Sequence, residues 1–154
     1  MKTILTALIT GALLIIATGP AAAEDSVDCA FWEIRASSGP AEKIAPELKP
    51  LEKKLKRPPF SSWNTFELLS STRRTLPVLK AQSFKLTEGQ ASVLYRESGE
   101  SKKKRRLSLS VTMEDKDGKR VVDMKVNVDV GDYVAVGRSI DNGKNGHVLA
   151  LSCH

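Results

Sequence analysis

Two histidines, two cysteines and one run of five adjacent cations are the side chains whose chemistry could go beyond packing. His147 follows the Gly143-Lys144-Asn145-Gly146 turn and His154 is the last residue. Neither stands in the His-x-His or His-x-x-x-His spacing that puts two imidazoles on one metal, so both read as a strand-end and a tail residue. Glu114, Asp115 and Asp117 before Gly118 depart from the D-x-[DN]-x-[DN]-G spacing of a calcium loop and read as a hairpin turn. No G-x-S-x-G elbow, Walker loop or G-x-G-x-x-G run after a strand occurs. The expectation is therefore no catalytic or metal-ligating residue and no cofactor, leaning away from an enzyme. Two carboxylates that converge only in three dimensions, enough for glycoside hydrolysis, remain the enzymatic alternative.

Cys29 and Cys153 lie near the two ends of the chain. Such a distant pair is a structural staple rather than a redox couple, whose thiols usually sit close in sequence as in C-x-x-C. A Cys29–Cys153 disulfide is expected between the first and last strands, in a compartment where disulfides persist. Closing a loop of about 125 residues is worth at most roughly 4–5 kcal/mol by the chain-entropy argument.

Lys102, Lys103, Lys104, Arg105 and Arg106 form the densest charge cluster and the candidate anion-binding site. A solvated loop leading into an edge strand is the alternative for the same residues. The Lys49, Lys53, Lys54, Lys56 and Arg57 face and Arg73-Arg74 could extend it. An anionic polymer or an envelope protein is the expected partner.

The first residues supply the compartment. Met1-Lys2-Thr3 carries one positive charge, Ile4 to Gly19 is nearly all apolar, and Pro20-Ala21-Ala22-Ala23 offers an A-x-A site before Glu24. This is the pattern of a signal peptide over 1–23, cleaved after Ala23, and an apolar run of about 16 residues is shorter than the roughly 20 a spanning helix needs. No stable membrane anchor is expected after cleavage. The formal charge falls from +6 to +5, since only Lys2 is lost. Export to periplasm or medium takes the chain away from nucleic acid, so none is expected as partner.

Residues 24–154 then form one exported domain. Val27–Arg35 reads as a strand ended by Ser37-Ser38-Gly39-Pro40. Ile44, Leu48, Leu51 and Leu55, spaced by four, three and four, predict one amphipathic helix that caps an end or covers a sheet edge, with Pro46 or Pro50 in its first turn and Pro58-Pro59 as its stop. From Phe60 on, strands are predicted at Thr65–Ser71, Val78–Leu86, Ala91–Glu97, Arg106–Glu114, Arg120–Asp129, Tyr133–Ser139 and His147–Cys153. Leu107, Leu109, Val111 and Met113 alternate with polar residues, as do Val122, Met124, Val126 and Val128, so each strand buries one face. Asp117-Gly118 marks the hairpin between them. The fold class is mainly β: an antiparallel β-sandwich or barrel of about eight strands with one amphipathic helix near the N-terminus.

Pro58-Pro59-Phe60-Ser61-Ser62-Trp63-Asn64-Thr65-Phe66-Glu67-Leu68-Leu69 is the most distinctive segment. Its aromatics read as the corner where the helix packs on the sheet, with a stacking platform for sugars as the second reading. Together with Leu48-x-Pro50-Leu51-x-x-x-Leu55, Val134-Ala135-x-Gly137 and Leu149-x-Leu151-x-Cys153, it resembles small exported bacterial proteins of no assigned function. The resemblance covers roughly residues 48–153 and implies a bacterial origin and a shared fold, with no activity or site residue. The expected function is a non-enzymatic binding or accessory β-domain of the cell envelope or secretome. A polyanion binder working through the basic cluster, or a hydrolase, are the alternatives.

Overall fold

The computed structural model describes residues 25–154, so the 1–23 signal segment and its cleavage site lie outside the described residues. Nine strands among these residues form two sheets, one of five and one of four. They are β1 (Ser26–Ser37), β2 (Lys43–Ile44), β3 (Thr65–Pro77), β4 (Ala81–Leu86), β5 (Gly89–Ser101), β6 (Lys104–Glu114), β7 (Arg120–Asp129), β8 (Tyr133–Ile140) and β9 (Asn145–Cys153). The first sheet runs β2-β3-β1-β9-β8 and the second β4-β5-β6-β7. All pairings are antiparallel except the two-residue β2–β3 contact.

Alternation decides the interior. Leu107, Leu109, Val111 and Met113 of β6 all point inward and are fully buried against Phe31, Tyr95, Leu149 and Leu151. Their neighbours Ser108, Ser110 and Thr112 take the outer face. Met124 departs from this pattern, for although it falls on the inward-facing register of β7 it is 45% exposed. Its strand is the last of its sheet, where the inner face reaches the rim.

The five-stranded sheet has a second covered face. Residues 46–63 lie across its outside, where Leu48, Leu51, Leu55, Phe60 and Trp63 pack on Ile34, Ala36, Phe66, Val148 and Ala150. β9 is thus buried on both sides from Gly146 to Cys153, and such a strand reads as a continuous apolar run. The Trp63 ring seats on Gly146, where an added Cβ would come within 2.7 Å of it.

The predicted helix is present but short, α1 (Glu52–Leu55), preceded by a 3-10 segment (Pro46–Leu51) and followed by a 3-10 turn (Phe60–Ser62). Pro50 falls inside the first segment and has no N–H to donate, so a regular α ladder cannot cross it. The leucine stripe survives the change, and Ile44 is drawn off into β2. The layer covers an outer sheet face, not an end or an edge.

Candidate functional site

The helical layer covers only part of the outer face, and the rest is a groove of about 550 Å³, within the roughly 300–1,000 Å³ typical of ligand sites. Strand register explains the hollow. Arg73 of β3, Ala30 of β1, Ser152 of β9 and Tyr133 of β8 are direct cross-strand partners and share one row on this face. The two middle residues are small, so the floor is low between an arginine and a tyrosine. The adjoining row holds Ser71, Trp32, Ala150 and Ala135, again with small residues beside a large ring. Asp28 faces Thr75 in the row beyond.

The Trp32 and Tyr133 rings stand 5.8 Å apart at 44°, both half-buried against the helical layer. Arg73 is exposed and its guanidinium has no intramolecular partner among the described residues, while Arg74 donates to Thr72 Oγ1 and to the Arg73 carbonyl. Thr75 Oγ1 donates to Asp28 Oδ1 at 2.5 Å. Within this row the Ser152 hydroxyl is buried without a hydrogen-bond partner. A second hollow of about 310 Å³ continues past Ala30, Trp32 and Arg73 to Ser71 and Thr72, so the groove is long enough for more than one ring-sized unit.

The chain matches no protein-family model and no curated protein. Its chemistry therefore rests on the residues themselves.

The expected disulfide is formed: Cys29 and Cys153 are cross-strand partners of β1 and β9, 124 residues apart in sequence. Cys29 also lines the groove, so the staple holds its wall. Phe60, Trp63 and Phe66 are at most 8% exposed, which removes them as a sugar platform and makes them the junction between helical layer and sheet. Trp32 and Tyr133 are instead the partly exposed aromatic pair on this face. Adjacent Phe31 and Trp32 must face opposite sides of a strand, so one of them had to leave the interior. That was the legible signal.

The five cations form a hairpin tip, not a flexible loop. Lys102 and Lys103 make the turn, with φ of 48° and 66°. Lys104 lies 3.7 Å from Asp132, and Arg106 Nε donates to Asp129 at 2.7 Å. Arg105 bridges the Tyr95 hydroxyl and Asp25, and the same hydroxyl and guanidinium hold the Asp25 carboxyl below its ordinary range. Of the five, Lys102 and Lys103 make no direct hydrogen bond or ion pair among the described residues, and Lys102 acts on the Asp129 carboxylate only through its charge.

One polar cluster lies in the interior. Glu33 is 1% exposed and His147 2%. Glu33 accepts from the Thr87 amide at 2.7 Å, the Glu88 amide at 2.9 Å and the Ser70 hydroxyl at 2.5 Å. His147 Nε2 stands 2.9 Å from Glu33 Oε1. Burial pushes the Glu33 carboxyl up, but the bonds from His147, Ser70, Thr87 and Glu88 outweigh it and hold the group at about 2. At neutral pH it carries no proton, so the imidazole donates. The carboxylate stands between hydroxyl and imidazole, which is the wrong order for a serine nucleophile activated by a histidine base. It is a tie, joining β1 to the β4–β5 turn of the opposite sheet. Among the described residues no group of three or more His, Cys, Asp or Glu is placed to hold a metal.

Proposed function

We propose that the protein is an exported, non-enzymatic binding domain of the bacterial envelope or secretome, and that the groove on the outer face of the five-stranded sheet is its ligand site. The observation that carries this reading is the half-buried Trp32–Tyr133 pair beside the unpaired Arg73. Tryptophan, tyrosine and arginine are the side chains that most often anchor recognition, because each offers apolar area with a polar handle. Packing explains the other aromatic rings, and hydrogen bonds explain the buried Glu33 and His147. Export is supported by the disulfide, which persists in oxidising compartments, and by the signal-like residues 1–23. No described helix is long and apolar enough to cross a membrane.

Expression of the full chain in a bacterial host tests the reading. The exported protein should begin at Glu24 by mass, with its two cysteines oxidised. Envelope saccharides, lipopolysaccharide, heparin and peptides should be titrated against the labelled protein by NMR, and at least one should shift Trp32, Tyr133 and Arg73 without being turned over. A retained 1–23 segment would contradict export and cleavage. Shifts confined to Lys102 and Lys103 would move the site to the hairpin, and turnover would make the protein an enzyme.

A further inference from the structure

From the chemistry of the groove we infer that its ligand is a neutral pyranose chain, bound with sugar rings against Trp32 and Tyr133. This rests on the groove being the binding site. A pyranose has one apolar C–H face and a rim of hydroxyls that both donate and accept. It therefore needs an aromatic surface flanked by an acceptor and a donor. Trp32 and Tyr133 supply the surface, tilted at 44° to each other like two sides of a shallow trough. Asp28 supplies the acceptor. Its Oδ1 is engaged by Thr75 and its Oδ2 has no intramolecular partner among the described residues. The Arg73 guanidinium, across from Tyr133 in the neighbouring row, supplies the donor.

Other occupants fit less well. A polyanion would find Arg73 and Arg74 in the groove, but it would also meet the Asp28 carboxylate and would leave the Trp32–Tyr133 surface unused. An extended peptide could add to the free edges of β8 or of β3 beyond Thr65 and Phe66, but strand addition there would not use the Trp32–Tyr133 surface, which stands on the sheet face. An apolar side chain would bury Arg73 and Asp28 without partners, which is costly. The second hollow past Trp32 toward Ser71 extends the trough along the sheet and favours an oligosaccharide over a single sugar.

The test uses the exported protein and hexasaccharides of β-1,4-glucose, α-1,4-glucose and β-1,4-N-acetylglucosamine, with heparin and a tyrosine-rich peptide as contrasts. The chain has two tryptophans, and the buried Trp63, whose Nε1 donates to the Gly143 carbonyl, is the internal control. At least one hexasaccharide should shift the indole resonance of Trp32 and leave that of Trp63 in place. The same sugar should bind more weakly as it is shortened to one unit. Trp32→Ala should lower its affinity by about tenfold or more, and the exposed Arg73→Gln by about threefold, as loss of one stacking surface or one hydrogen bond allows. If heparin or the peptide moves Trp32 and no sugar does, the sugar inference is wrong and the groove still binds. If nothing moves Trp32, both fail.

Discussion

Glu33 Oε1 and His147 Nε2 lie 2.9 Å apart on strands whose partners are 114 residues distant in sequence, and neither side chain reaches solvent. Thr87 and Glu88, from the turn of the opposite sheet, complete the carboxylate's shell. The pair therefore sits where the two sheets are joined at one end, while Asp25, Tyr95 and Arg105 join them elsewhere. Its ionisation is coupled to folding.

The Glu33 carboxyl is held at about 2 against an ordinary 4.5. A depressed folded value means that the stabilisation is fully present above about pH 4.5 and is lost as the pH falls toward 2, with a total on the order of 3 kcal/mol. Glu33→Gln leaves some of the surrounding donors unsatisfied. The variant should be less stable than the parent at pH 7 by a few kcal/mol, and the gap should close between pH 4.5 and 2. Urea unfolding at several pH values checks this. A gap independent of pH would mean that the carboxylate charge is not what the cluster holds.

Cys29 and Cys153 close almost the whole described chain into one loop. Replacing both by alanine should lower stability by about 4 kcal/mol, less whatever residual structure the unfolded chain retains. Denaturant unfolding with and without reductant measures it. An unchanged midpoint would show that the staple does not constrain the unfolded state.

The turn at Lys102-Lys103 puts two lysines in left-handed backbone, a conformation that asparagine and glycine adopt at lower cost. Lys102→Asn with Lys103→Gly should raise stability by about 1 kcal/mol and weaken any affinity for heparin. Substituting Arg105, which bridges Asp25 and the Tyr95 hydroxyl, should instead destabilise the protein. Heparin binding unchanged in the double variant would show that the hairpin tip makes no contact with polyanions.

The strands were largely legible because one face of each is buried, and that imprints a period of two on β6 and β7. β3 runs Thr65–Pro77, past the predicted Thr65–Ser71, because its second half, Thr72 to Thr75, lines the groove and its rim and carries no apolar alternation. The helix is shorter than the leucine spacing predicts, because a 3-10 and α sequence keeps that same spacing, while Pro50 decides the hydrogen bonding. The groove was hidden for another reason. It arises from the cross-strand alignment of Ala30 with Ser152 and of Trp32 with Ala150, a relation between strands far apart in sequence. Glu33 gave no signal either, since a lone glutamate in a strand reads as solvent-facing until its partners are known.

The most direct test of the groove as a ligand site is to fill its floor. Ala30 lies between Arg73 and Ser152 on the outer face, away from the inter-sheet core, so Ala30→Leu adds bulk where the hollow is. Calorimetric titration of parent and variant should use whichever ligand shifts the Trp32 resonance. The account predicts that Ala30→Leu melts within a few degrees of the parent and loses ligand affinity by at least about tenfold, the effect of losing roughly 1.4 kcal/mol of binding energy. Equal affinity in a folded Ala30→Leu protein would contradict it.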